Sequence, residues 1–196
     1  GGDFASAIAA GNPVLAKAHP GHPSVSLIAA EEAVSALNEA GLPPATVQLL
    51  HGIPADEGLR LVADSRVGAI GFTGSQHAGM QLFAAASAAG NVMWVEMGSV
   101  NPVVLLPEAI EERGDHIAKE LVASVTGSSG QVCIKPGIVF LVDDQAGKNF
   151  VRCIEKEFQS LDPQVLLNPP GRDRLFTNIH TLQEAGAVQI VGNNLE

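Results

Sequence analysis

Tyrosine is missing from this chain, tryptophan occurs once, and the aromatics together make up 4% of its residues. That scarcity argues against an aromatic-rich, all-β surface binder. The 21 glycines, 12 prolines and large stock of Ala and Val suit tightly packed α/β layers instead. Basic residues are scarce too: 11 Lys and Arg stand against 21 Asp and Glu, for a net charge of −10. No run of Lys or Arg breaks that negative field, so nucleic acid is not an expected partner. Long apolar runs are absent. Val103 to Leu106 and Gly137 to Val142 fall far short of the ~20 residues a bilayer-crossing helix needs, and no membrane span is expected. Cysteine occurs twice, at Cys133 and Cys153, with no CxxC spacing and no histidine cluster beside either. A disulfide framework and a structural zinc site are both disfavoured, no metal is expected, and a reducing cytoplasm is the default compartment.

What is present is a chain of 196 residues, enough to bury roughly 70% of the surface its unfolded form exposes. Its first residue is Gly1, and Asp3 to Gly11 already reads as a helix under way, so we expect an internal piece of a longer polypeptide. The final Leu195-Glu196 fits either a cloning remnant or an ordinary dipeptide.

Ala-rich helical stretches that stop at Gly alternate with short apolar runs, which is the pattern of βαβ units and a parallel sheet. Ser24 to Ala40 places Leu27, Ile28, Ala30, Val34 and Leu37 at helical spacing, and Gly41 with Pro43-Pro44 ends that helix. Strands are predicted at Val47 to Leu50, Val67 to Phe72 and Asn91 to Met97, with helices at Asp56 to Ala63 and Ser75 to Ala89 between them. After Gly98 the texture changes. Asn101-Pro102 breaks the chain before a strand at Val103 to Leu106. A long helix at Glu108 to Val125, a strand at Ile138 to Val142, helices at Gln145 to Leu161 and Arg172 to Ala185, and a last strand at Val188 to Val191 follow. The expected domains are 1–98 and 99–196.

Four stations could do chemistry, and each has a plainer reading. Lys17 ends the apolar run Val14-Leu15-Ala16, where an ammonium could meet a ribose hydroxyl or phosphate. His19 and His22 beside it read as a turn built on prolines rather than a metal site. The strand running into Gly71-Phe72-Thr73-Gly74-Ser75 offers N–H groups and a partial positive charge to a phosphate, although Gly-Ser before a helix is also simply a good N-cap. Gly79, one turn on, permits close helix packing or ligand approach. Glu96 sits at the C-terminal edge of a predicted central strand, where α/β sheets place ligands; taken alone it is more simply a carboxylate that finds water. Cys133 lies in the glycine-bracketed stretch Gly127 to Gly137, where Lys135 or nearby N–H groups could favour the thiolate. Taken alone, it reads better as an inert thiol. Cys153 reads as packing.

In this order the four stations resemble the aldehyde dehydrogenase superfamily, whose pattern is a strand-end Lys, Gly-Phe-Thr-Gly-Ser, Glu-Leu-Gly-Gly-Lys-Asn-Pro and Gly-Gln-x-Cys. The likeness spans nearly the whole chain. Lys-Ala-His-Pro-Gly-His-Pro, and Ser99-Val100-Asn101-Pro102 where most members have Gly-Lys-Asn-Pro, are most similar to the α-ketoglutaric semialdehyde (2,5-dioxovalerate) branch. The resemblance implies an α/β fold: a parallel Rossmann-like cofactor-binding portion, then part of a second α/β catalytic domain. It implies oxidation of an aldehyde, such as the acidic 2,5-dioxopentanoate, with Cys133 as nucleophile and Glu96 activating the hydrolytic water. It further implies Lys17, His19, Phe72, Gly74, Ser75, Gly79 and Gly98 as cofactor contacts, a small-molecule aldehyde as partner, and a homo-oligomeric parent enzyme. Pro20 stands where most relatives have a Glu that holds the adenosine ribose, so NADP fits as well as NAD. Ile134 and Lys135 replace a frequent Thr-Asn. The family's second oxyanion donor and its nicotinamide-ribose segment lie outside this stretch, so the fragment alone is expected to be inactive. A CoA-acylating relative, or a non-catalytic module of the same fold, stays open beside the hydrolytic reading.

Overall fold

The computed structural model describes residues 2–192. The chain divides into two compact units, Gly1–Met97 and Gly98–Glu196, each an α/β arrangement built on parallel strand pairs.

In the first unit, α1 (Gly2–Ala9) leads into β1 (Val14–Lys17), and α2 (Pro23–Glu39) crosses over to β2 (Val47–Leu50), which pairs with β1 in parallel. Leu37 of α2 is buried, whereas Leu27 and Ile28 at the same helical spacing remain exposed. A second βαβ unit follows α3 (Ala55–Val62): β3 (Ala69–Gly74), α4 (Gln76–Ala88) and β4 (Val92–Met97), with β3 and β4 parallel. Its core joins Val62, Ala86 and Met93, with Ile70, Phe72, Leu82 and Val95 packed against them. The alternation of the strands therefore splits the sheet into two faces: Ile70, Phe72, Met93 and Val95 turn toward the helices, while Trp94 is 64% exposed.

The turn into β3 is fixed by polar bonds. The Arg66 guanidinium hydrogen-bonds the Asp64 carboxylate and holds its pKa well below the usual range, and the Arg66 N–H donates to it as well. Asn91, at the entrance to β4, donates from Nδ2 to the carbonyls of Val62 (2.9 Å) and Asp64 (3.0 Å). Strand β3 starts at Ala69 rather than Val67, because its register begins where Val92 is available as a partner.

In the second unit, β5 (Asn101–Leu105) pairs in parallel with β6 (Pro136–Leu141), joined by α5 (Pro107–Thr126). Arg113 leaves helical geometry (φ −147°, ψ 29°) and kinks α5. Helix α6 (Gln145–Gln159) packs on α5 around Phe150, which is 1% exposed and meets Leu105, Ile110, Ala118 and Leu121. Asp144 caps α6 by accepting the Gly147 N–H at 2.8 Å, and Asn168 caps α7 (Pro169–Glu184) through the Gly171 N–H in the same way.

Two sequence expectations need correction. Strand β5 begins at Asn101, through Asn101-Pro102 rather than after it, since a bulge there spares Pro102 a ladder bond: Asn101 pairs with Pro136 and Pro102 with Ile138, leaving Gly137 as the extra residue. The strand expected at Val188 to Val191 does not form. Residues 188–191 enter no ladder pairing among the described residues, and the Gln189 side chain instead bonds the Val191 carbonyl.

Candidate active site

Strand ends and the turns that leave them hold the candidate residues. Lys17 closes β1 opposite Leu50, with its Nζ donating to the Ala18 carbonyl at 3.2 Å. His19 accepts the Gly21 N–H at Nδ1 (3.0 Å), and its ring stacks on His22 with centroids 5.1 Å apart. This is the compact turn that the prolines suggest. Among the described residues no group of three or more His, Cys, Asp or Glu is arranged to hold a metal ion.

At the end of the second strand pair, β3 passes through Gly74 into Ser75, the N-cap of α4, whose Oγ accepts the Ala78 N–H at 3.3 Å. The capping bond engages the third N–H of the helix. The first two, of Gln76 and His77, have no intrahelical carbonyl to bond and face the turn. A Cβ at Gly74 would lie 2.6 Å from Cζ of Phe72, so with glycine there the Phe72 ring can rest against the turn. Gly79 serves close helix packing, one of the two uses read for it. It is buried, and a Cβ there would stand 2.7 Å from Met97 Sδ and 3.0 Å from Val95 Cγ1, so the absent side chain lets α4 lie against β4.

Glu96 pairs with Thr73 in the β3–β4 register, one residue before the Gly74-Ser75 turn. Strand alternation places it with Trp94 and Thr73, on the sheet face away from α4, and its side chain is exposed. Gly98, the first residue of the second unit, has open space where a Cβ would be.

Cys133 belongs to the second unit, in the loop between α5 and β6. After Thr126 the chain turns through Ser128 (φ 51°), Ser129 (φ 57°) and Gly130 (φ 69°), three successive residues of left-handed backbone. For the two serines this costs about 1–2 kcal/mol each. Gln131 offsets part of that cost from both ends of its side chain: Nε2 donates to the Ser128 carbonyl at 3.2 Å, and Oε1 accepts the Leu167 N–H at 2.9 Å. Cys133 and Ile134 are then the central residues of a turn closed by the Lys135 N–H on the Val132 carbonyl at 3.3 Å. The Cys133 thiol is exposed, and among the described residues its N–H has no hydrogen-bond acceptor.

The turn is tied to the start of β5. Asn101 Nδ2 donates to the Cys133 and Lys135 carbonyls, both at 2.9 Å, and Ser99 Oγ lies 3.0 Å from the Cys133 carbonyl. These ties, like the Gln131 bracket, are absent from the sequence reading. Asn and Ser before a strand do signal side-chain bonding to backbone, but a partner 32 to 34 residues away leaves no mark in one sequence.

Cys153 lies on α6, partly buried against the α5–α6 core. Its thiol donates to Asp115 Oδ1 at 3.3 Å, and that carboxylate, with some desolvation, raises its pKa. A hollow of about 690 Å³ beside it is lined by the kinked stretch of α5, including Glu111 and Arg113, and by Asn149 and Phe150 of α6. No residue of the Cys133 turn reaches it.

Comparison with known proteins gives one consistent result. The model of the aldehyde dehydrogenase family matches residues 1–187. The chain is 36% identical over 170 residues to an α-ketoglutaric semialdehyde dehydrogenase of Acinetobacter baylyi and 43% identical over 145 residues to α-ketoglutaric semialdehyde dehydrogenase 2 of Azospirillum brasilense. Those matches cover 86% and 73% of this chain, but 32% and 28% of the relatives, so the chain spans about a third of the length of the curated relatives it matches. A crystal structure of a Sinorhizobium meliloti protein described as a methylmalonate-semialdehyde dehydrogenase, in complex with NAD, superposes with a TM-score of 0.82 at 22% identity. It covers 98% of this chain and 40% of that one.

Proposed function

Since this chain belongs to the aldehyde dehydrogenase family, we propose that the complete protein oxidises an aldehyde to a carboxylate through a thioester on Cys133, with NADP or NAD accepting the hydride. The observation that carries the reading is the exposed thiol of Cys133, held on a pinned turn whose own N–H has no acceptor among the described residues.

The residues of the first unit fit a dinucleotide. Gly74 brings no side chain of its own to the turn, against which the Phe72 ring lies, and the first N–H groups of α4 point there, as a pyrophosphate requires. Lys17 and His19, at the end of β1, would hold the ribose side, and Phe72 would back the turn. Pro20 brings no carboxylate to repel a 2′-phosphate, so NADP is as good a fit as NAD. The Gly1–Met97 unit would then be part of the cofactor-binding domain, and the Gly98–Glu196 unit part of the thiol domain. Gly98, with open space where a Cβ would be, would be a further cofactor contact.

The chemistry of this chain's own groups follows from their types. The Cys133 thiolate adds to the aldehyde carbon, and the oxygen that becomes negative is met by the Cys133 N–H, a donor already in place. When bound, the oxidised nicotinamide supplies the acceptor for the hydride that leaves this carbon, and the thioester remains on sulfur. Glu96 takes a proton from water; the hydroxide attacks the thioester carbonyl, the carbon–sulfur bond breaks and the carboxylate leaves. An acidic semialdehyde such as 2,5-dioxopentanoate is the proposed substrate, supported by the two relatives at 36% and 43% identity. A homo-oligomer in the cytoplasm completes the proposal; two free thiols suit that compartment.

The test is cofactor-linked oxidation of 2,5-dioxopentanoate by the complete protein. The reading expects NADP or NAD reduction that Cys133→Ala lowers at least about 10³-fold, in line with the loss of a covalent nucleophile. Reduction that survives Cys133→Ala contradicts it.

A further inference from the structure

We infer that Ser99 and Asn101 are positioning residues for Cys133: together they hold the main-chain carbonyls of Cys133 and Lys135, just past the thiol-bearing carbon, and Ser99 adds a bond that a glycine at its position could not make. The inference rests on the reading of Cys133 as nucleophile.

The turn that presents Cys133 is loosely closed by itself. Its one internal bond, Lys135 N–H to Val132 carbonyl, is 3.3 Å, beyond the usual range for an N–H···O bond. The two N–H groups of a single amide do better. Asn101 Nδ2 reaches the Cys133 carbonyl and the Lys135 carbonyl at 2.9 Å each, one residue apart on either side of Ile134. Two bonds from one planar group fix the peptides that leave Cys133 and Lys135, and with them the direction in which the Cys133 side chain leaves the turn.

Ser99 then fixes Asn101. Its Oγ lies 3.0 Å from the Cys133 carbonyl and 3.2 Å from Asn101 Oδ1, two acceptors facing a single hydroxyl proton. Donation to Oδ1 locks the amide with its oxygen toward Ser99 and its N–H groups toward the turn. Donation to the carbonyl adds a second bond to the cysteine's own peptide. The backbone allows the approach because Gly137, the bulged residue of β6, comes so near that a Cβ there would stand 3.1 Å from Val100 Cα. The free edge of the turn carries the exposed thiol and Ile134, which is 78% exposed.

A role in positioning differs from a role in stability alone by what it moves. Misplacing a reacting group by about 1 Å costs on the order of 10²-fold in rate. In the complete protein, Asn101→Ala should lower kcat about 100-fold while KM for the aldehyde stays within about twofold. It should also change the rate of Cys133 alkylation by iodoacetamide at fixed pH. Ser99→Gly should lower kcat about fivefold, the loss of one neutral hydrogen bond, and Ser99→Thr, which keeps the hydroxyl, should restore it. Because Asn101→Ala could fail to fold, the Ser99→Gly and Ser99→Thr pair is measured at matched melting temperature and decides alone if it must. If both Asn101→Ala and Ser99→Gly lower the melting temperature but leave kcat and the alkylation rate unchanged, the two residues only pin the strand and the inference is wrong. If Cys133→Ser retains turnover, the nucleophile reading fails and the inference falls with it. Loss of turnover in Cys133→Ser together with full turnover in Asn101→Ala overturns the inference alone.

Discussion

Two cysteines of the same chain differ in exposure and in hydrogen bonding. Cys133 is exposed at the head of a turn, whereas Cys153 is partly buried and donates its proton to the Asp115 carboxylate, which keeps the thiol neutral to higher pH. Nucleophilic attack needs thiolate and access, so iodoacetamide should alkylate Cys133 at least tenfold faster than Cys153 at neutral pH, a 1.4 kcal/mol difference in barrier. The sign of the Cys153 shift adds a second expectation. A raised thiol pKa means the neutral form is favoured by the fold, so its labelling should rise only above the ordinary thiol range, and Asp115→Asn should move that rise to lower pH. Peptide mass spectrometry over a pH series reads both. Labelling of Cys153 that keeps pace with Cys133 contradicts the assignment of roles.

The loop that presents Cys133 is set by its neighbours in the fold, and strand β4 is set in the same way by helix α4. Gly79 is the contact point, with Met97 and Val95 filling the space a side chain would take. Gly79→Ala overpacks that contact and should destabilise the first unit by about 1–3 kcal/mol, measured as a shift in the urea midpoint; a midpoint unchanged within error would place the helix further from the strand than described. At this scale much was legible in advance. Val47 to Leu50 reads as a strand from four residues alone, and Gln145 to Leu161 as a helix, observed over Gln145–Gln159, from its amphipathic spacing, because both signals are local. The segment 188–191 has the same apolar character and forms no strand, since a strand needs a neighbour and a neighbour is not a local property. The site divides along that line. The Gly74-Ser75 turn announces itself as Gly-Ser before a helix. The Asn101 and Ser99 bonds to the Cys133 turn do not, because the bulge that aligns them arises only when β5 and β6 pair.

Taken as a whole molecule, the chain combines a net charge of −10 with a surface that exposes Trp94, Val100, Val104, Phe140 and Val165. At neutral pH the charge opposes non-specific association of copies of this chain. As pH falls, carboxylates and histidines take up protons and that repulsion fades, reaching balance near the pI of 4.9. Light scattering should therefore stay flat from pH 8 to 6 and rise steeply close to that pI, with added salt bringing the rise to higher pH. A flat trace through the pI would mean that the apolar residues do not act together as a contact surface.

The central claim is that sulfur at position 133 carries the acyl group and that the acid at position 96 releases it. The most direct measurement gives the complete protein, with Glu96→Gln, one turnover's worth of semialdehyde and NADP, followed by acid quench and peptide mass spectrometry. The account predicts the acyl mass on the Cys133 peptide, near one per chain, and none on the Cys153 peptide. Cofactor reduced in full with no acyl mass at Cys133, or with the mass at Cys153, would contradict it.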